Sequence, residues 1–220
     1  MTLGISTSFS DYALIIANKG KVLFNSSDNQ FEEKKNIAQH FDIAMKQSGI
    51  QPKDITKIIV DIGPGGTTSV RTGVSFANSL AFSLEIPVCP VSSIELLSLT
   101  SWKLQELPVV SLVKFMKNNY FVGFYTGNQT HQIHYGELQD ILPNLLQNLD
   151  TFVVTGKFKS KVEELFPNKT IFDLEILKGD VSLMIEEEER FTARALEFPR
   201  VSIPISEQNY ANNQAYSKTE

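Results

Sequence analysis

The chain has 220 residues, 42% of them hydrophobic and 20% charged, with a formal net charge of −5. That length suits one large domain or two small ones, and the composition is that of an ordinary globular protein. The acidic balance argues against a chain that grips nucleic acid unaided, because phosphate neutralisation needs a basic surface.

One cysteine, Cys89, excludes a disulfide within the chain and leaves zinc to other donors. Its setting, "EIPVCPV", reads as a buried strand in which the thiol is a small hydrophobe. The first residues, "MTLGISTSFSDY", lack a basic region followed by a long apolar one. No apolar run approaches the length of a membrane span. A cytoplasmic location without membrane contact is the expectation.

"TLGIS", "YALIIA" and "KVLFNS" read as strands, the last two joined by a hairpin turn at Asn18, Lys19 and Gly20. "EEKKNIAQHFDIAMKQSGI" has a helical apolar period and ends at Gly49, a natural C-cap. "ITKIIVDI" is nearly continuous in apolar character after Lys57, which places it centrally in a sheet covered on both faces. The run "GPGGTTSVRTG" and a helix over about 70–84 follow. "IPVCPV" gives another strand and "SSIELLSLTSWKL" another helix, with Ser92 or Ser93 as its cap and Glu95 in its first turn.

Pro108 and the polar residues before it mark a boundary, so the expected domains are 1–104 and 105–220, the second ending in a polar tail after Pro204. Beyond it "VVSLVKF", "YFVGFYT" and "HQIHYGEL" read as strands, with Gly127-Asn128 as a turn. A helix through "QDILPNLLQNL" follows, its start delayed by Pro143. Then come the strand "TFVVTG", a helix near "KVEELF", a short strand near "TIFDL" and a helix over about 181–196. The second half repeats the element order of the first without its sequence. The expected fold is α/β, two lobes of three strands followed by alternating helix and strand, an order that resembles the duplicated ribonuclease-H-like architecture of the actin-like ATPases.

The glycine run invites a phosphate reading, yet three nucleotide motifs fail on it. A Walker loop needs a terminal lysine before Ser or Thr, and no lysine lies between Asp61 and Glu85. A dinucleotide fingerprint needs a glycine where Thr68 stands and an acid after the next strand, which ends in Val91-Ser92-Ser93. Kinase glycine loops lie in hairpins rather than before helices. Two readings stay open. Gly63, Gly65, Gly66, Thr67 and Thr68 with Arg71 could form a generic anion loop at a helix N-terminus. The heavier alternative is a sharp strand-to-helix bend permitted by the glycines.

The run "GPGGTTSVRTGVSFANSLAFSLEIPVCPVSSIELL", with Gly63, Pro64, Gly65, Thr68, Arg71 and Gly73 in register, resembles the signature of the TsaB (YeaZ) family. "LGISTS" is similar to that family's L-x-L-D-T-S strand, and "AMKQSGIQPKDITKIIVDIGPGG" to its helix–glycine–Asp-Ile–strand succession. The resemblance covers roughly the first hundred residues. It implies an actin-like ATPase fold and a non-catalytic subunit of tRNA threonylcarbamoyladenosine synthesis that pairs helix to helix with the catalytic subunit TsaD. It further implies a TsaE-like ATPase in the assembly, contact with tRNA only through the complex, and a homodimer where the partner is absent. No cofactor is implied for the chain alone, ATP and magnesium belonging to the assembled complex.

The chain departs from the family pattern at Ser6, where the family has the aspartate of D-T-S, and at Gly66-Thr67-Thr68-Ser69, where it has Ser-Phe-Thr-Gly. It departs again at Glu33-Lys34-Lys35 and near "KFMKNN", which lacks the family's charges. Losing a carboxylate at position 6 removes the obvious magnesium-facing group.

No catalytic residue and no metal ligand is assigned. His131 and His134, three apart on a strand, point to opposite faces, and neither an H-x-x-x-H helix nor a G-x-S-x-G elbow is present. "MIEEEERF" reads as a solvated helix face. On the helix after the loop, Val70, Val74, Ala77, Ala81 and Leu84 form one apolar stripe, and Phe76 and Leu80 a second. A helix apolar on two sides should be covered twice, and the candidate partner face is Phe41, Met45, Gly73, Phe76 and Leu80. The competing functions are an active small-molecule kinase or ATPase of the same superfamily, with Asp61 or Asp11 as its carboxylate, and a homodimeric scaffold.

Overall fold

A computed structural model describes residues 1–9, 12–26, 36–127 and 131–195. Asp11, the Glu33-Lys34-Lys35 departure, Asn128 and the tail after Pro204 lie outside these residues. The chain divides into two compact units, one built from Met1–Ser93 with the segment from Val181, the other from Ile94–Asp180.

In the first unit β1 (Thr2–Ser6), β2 (Ala13–Asn18) and β3 (Lys21–Asn25) are antiparallel neighbours, and β4 (Lys57–Asp61) and β5 (Val88–Val91) extend the sheet in the order β3-β2-β1-β4-β5. Leu3 stands opposite Ile16 on the antiparallel side and Ile58 on the parallel side, and Ile59 opposite Cys89. The hairpin turns at Lys19 (φ 48°) and Gly20 (φ 80°). Helix α1 (Ile37–Ser48) begins with a reciprocal cap between Asn36 and Gln39 and ends at Gly49 in the left-handed region. It lies over β2 and β3, while α2 (Thr67–Leu84) lies over β1 and β4. Every residue of β1 is buried. Successive side chains alternate across a sheet, and a Cβ on Gly4 would press on Met184 of the C-terminal segment.

The second unit repeats the plan. Helix α3 (Ser93–Gln105) leads into β6 (Val109–Lys114), β7 (Asn119–Tyr125) and β8 (Gln132–Glu137), which are antiparallel in turn. Helix α4 (Leu138–Leu146), β9 (Thr151–Val154), α5 (Lys159–Leu165) and β10 (Thr170–Asp173) complete a sheet of order β10-β9-β6-β7-β8. Read from β8, this is the first sheet's order with β6, β9 and β10 parallel like β1, β4 and β5. One sheet face buries Val110, Tyr120, Val122 and Phe152 under Leu138, Leu142 and Leu146 of α4 and Val162 of α5. The other packs Phe121 and Ile133 against Ile94 of α3.

Three element expectations change. Helix α2 starts three residues before Val70, at Thr67. Pro143 sits inside α4 rather than delaying it. The proline removes one backbone hydrogen bond, and the burial of Leu138, Leu142 and Leu146 along one stripe outweighs that loss. The single helix expected over 181–196 is two short ones, α6 (Leu183–Glu186) and α7 (Glu188–Thr192), parted at Glu187 (φ −104°, ψ 26°). The break lets Met184 reach Gly4 while Glu188 reaches Thr2 and Lys57. Among the described residues no helix is long and apolar enough to cross a membrane.

Candidate functional site

The bend between β4 and α2 is held from beneath by one carboxylate. Asp61, at the end of β4, is fully buried. Its Oδ2 accepts a hydrogen bond from Ser6 Oγ at 2.7 Å, and its Oδ1 accepts from Ser93 Oγ at 2.6 Å and from the Gly63 N–H at 2.9 Å. Burial pushes the carboxyl above its ordinary range, opposed by the hydrogen bonds from Ser93, Gly63 and Ser6. The strand β5 end is tied in as well, with Ser92 Oγ and the Ser93 N–H both donating to the Gly63 carbonyl.

The glycines answer to close approach by the chain itself. Gly63 has φ 91°, a region other residues rarely adopt. A Cβ on Gly65 would collide with the Ser8 carbonyl, which accepts the Gly66 N–H at 2.9 Å. A Cβ on Gly73 would collide with Thr7, whose hydroxyl donates to the Ser69 carbonyl at 2.7 Å. The segment after β1 therefore fills the concave side of the loop. Gly66, Thr67, Thr68 and Arg71 are exposed at the start of α2, and no side chain caps that helix.

Magnesium binds through several oxygens and prefers a carboxylate that it can reach. At this loop Asp61 is enclosed and its oxygens are engaged, and Ser6 supplies a hydroxyl where a second carboxylate would stand. The donor set does not fit a magnesium–nucleotide. Among the described residues no group of three His, Cys, Asp or Glu side chains could hold a metal. His131 is buried with Nε2 2.7 Å from Ser98 Oγ, and His134 is half-buried beside Gln132, its imidazole held below the usual range by burial. Burial pushes the Cys89 thiol up to about 11, which keeps it protonated and unreactive at neutral pH.

Helix α2 has three kinds of surface. Val70, Val74, Ala77 and Ala81 are buried against the sheet. On one flank, Phe76 meets Phe41 of α1 edge to face with ring centroids 5.4 Å apart. Phe41, Phe76 and Leu80 stay half-buried, whereas Met45 and Gly73 are inside the unit. The structure thus brings together five residues of the expected partner face as two buried members and three surface ones. On the opposite flank Phe82 is 75% exposed, about 240° round the helix from Phe76 at 100° per residue. The sequence reading missed Phe82. Its signal was an aromatic off both apolar stripes, among Ser75, Ser79 and Ser83.

The acidic run is only partly solvated. Glu188 accepts from Thr2 Oγ1 at 2.6 Å and pairs with Lys57 Nζ at 2.8 Å. Burial pushes its carboxyl up, but the Lys57 and Thr2 hydrogen bonds and the Lys57 charge outweigh that and hold it below its ordinary range.

Residues 29–217 match the family model described as TsaD, tRNA N6-adenosine threonylcarbamoyltransferase. The tRNA threonylcarbamoyladenosine biosynthesis protein TsaB of Bacillus subtilis (strain 168) is 34% identical over 93 residues, 42% of this chain and 38% of that protein. Its namesake from Buchnera aphidicola subsp. Schizaphis graminum is 28% identical over 130 residues, 58% of this chain and 61% of that one. A tRNA N6-adenosine threonylcarbamoyltransferase from Prosthecochloris aestuarii is 29% identical over 108 residues, 42% of this chain and 31% of the relative. These matches span less than two thirds of each relative. A crystal structure of an uncharacterized Pseudomonas aeruginosa protein with similarity to peptidase YEAZ superposes with a TM-score of 0.74 at 18% identity, over 93% of this chain and 98% of that one. YeaZ from Pseudomonas aeruginosa gives 0.71 at 15% identity over the same shares. These likenesses show the fold, the duplicated α/β arrangement shared with the YeaZ structures. The chain belongs to the family described as TsaD, tRNA N6-adenosine threonylcarbamoyltransferase, and its named relatives include both TsaB proteins and threonylcarbamoyltransferases.

Proposed function

We propose that the chain is a non-catalytic subunit of tRNA threonylcarbamoyladenosine synthesis, which docks a TsaD-like catalytic subunit through the outer face of α1 and α2. The observation that carries this reading is the surface left once α1 has packed on α2, with Phe41 of α1 and Phe76 and Leu80 of α2 half-buried on one flank and Phe82 75% exposed on the other. Exposed aromatics of this kind are the anchors on which protein interfaces concentrate their energy. The state of Asp61 supports the non-catalytic half, since a carboxylate spent on three donors of its own chain is no base for a bound substrate.

In this reading a TsaE-like ATPase and tRNA join through the assembly, and ATP and magnesium serve it rather than this chain. The same apolar face gives a homodimer when the catalytic subunit is absent. Mixing the chain with a TsaD-like subunit and sizing the products tests the reading. A heterodimer replacing any self-associated form supports it. A chain that ignores the catalytic subunit at every concentration refutes it.

A further inference from the structure

A second exposed apolar cluster lies in the other unit, at the tip of the β6–β7 hairpin. Lys114, Phe115, Met116, Lys117 and Asn118 are all exposed, with Phe115 at 41% and Met116 at 59%. The tip is not loose chain. The Phe115 N–H donates to the Asn119 carbonyl and the Asn119 N–H to the Met116 carbonyl, each at 3.0 Å, and Lys117 takes the left-handed conformation (φ 54°) that closes the turn.

Phe115 is also held from behind. Its ring meets Phe121 at 5.3 Å and Tyr135 at 6.0 Å between centroids, both edge to face, and those two rings lie 4.9 Å apart. The Phe115 ring is thus preset at the turn by a buried ring on β7 and a half-buried one on β8, and costs little entropy to use. Charge selects what lands on it. In a chain of net charge −5, the stretch Lys114–Tyr120 holds two lysines, two asparagines and no acid.

We infer that this hairpin tip contacts RNA directly, Phe115 stacking on an unpaired base while Lys114 and Lys117 take the flanking phosphates. Aromatic faces accept any base, and lysines beside them supply the phosphate contacts of single-strand binding. The inference goes beyond the function proposed above, in which RNA reaches this chain only through the assembly. It rests on that reading only for the choice of RNA among polyanions.

The test is fluorescence anisotropy of a labelled single-stranded oligoribonucleotide titrated with the full chain at low salt. Wild type should bind, and Phe115→Ala should weaken binding about tenfold. The double variant Lys114→Ala/Lys117→Ala should flatten the slope of log affinity against log salt by about 1.4, two phosphates' worth for a single strand. Because that double variant touches no aromatic contact, it keeps the test decisive even where Phe115→Ala fails to fold. No binding by wild type, or equal binding by the folded variants, overturns the inference. So does a result in which the tip variants keep RNA but lose the TsaD-like subunit, since the tip is then a protein interface. RNA binding at the tip alongside failure of docking at α2 refutes the docking face and leaves the tip standing.

Discussion

Asp61 sets the behaviour of the loop at the scale of single residues. Its carboxyl is pushed above its ordinary value of 3.8 by burial, so the folded state tolerates the protonated form better. The stability tied to it is fully present below 3.8 and is lost as pH rises through the folded-state value. Asp61→Asn keeps the shape and removes the buried charge. Thermal melts should show this variant above wild type near neutral pH, with the gap closing in acid; a gap that widens in acid would contradict the account. Asp61→Ala leaves the Ser6 and Ser93 hydroxyls and the Gly63 N–H without their acceptor. It should cost about 3 kcal/mol in a denaturant titration. Gly73→Ala, whose Cβ would collide with Thr7, should cost about 2 kcal/mol by overpacking. Little of this was readable beforehand. The glycine run showed a bend, but Ser6 and Ser93 lie 55 and 32 residues from Asp61, and no local pattern links positions so far apart.

Individual elements were legible where local chemistry decides them. Lys19-Gly20 turns the hairpin and Gly49 ends α1, because each supplies a backbone conformation that the next step of the chain needs. Helix α4 and the segment after Val181 were less legible because tertiary contacts decide them. Burial of three leucines carries α4 through Pro143, and contacts to β1 and β4 divide one expected helix into α6 and α7. The α7 tether makes its own prediction. The Glu188 carboxyl is held low by Lys57 and Thr2 against the effect of burial, so its stabilisation is present above its ordinary value of 4.5 and is lost as pH falls through the folded-state value. Glu188→Gln should therefore cost about 1 kcal/mol at neutral pH, and the difference from wild type should vanish in acid. A penalty that does not change with pH would mean that packing, not charge, holds α7.

For the whole molecule, the duplicated sheet orders place two like frameworks in one chain, and the loop after β4 in the first is packed from within by the chain itself. Its concave side is filled by Ser8 and its carboxylate by serines, while the helix it launches carries apolar side chains at the surface. The element order and the two-faced helix were visible in the sequence. The occupancy of the loop and the exposure of Phe82 emerged only from packing. The most direct measurement is the affinity of the full chain for a TsaD-like catalytic subunit, compared with Phe76→Asp and Phe82→Asp, with melting curves for each. Phe82 is exposed enough that its replacement should leave the melt unchanged. The account predicts a heterodimer with wild type and at least about tenfold weaker binding by each folded variant. Unchanged affinity in both variants, or no complex with wild type, would contradict it.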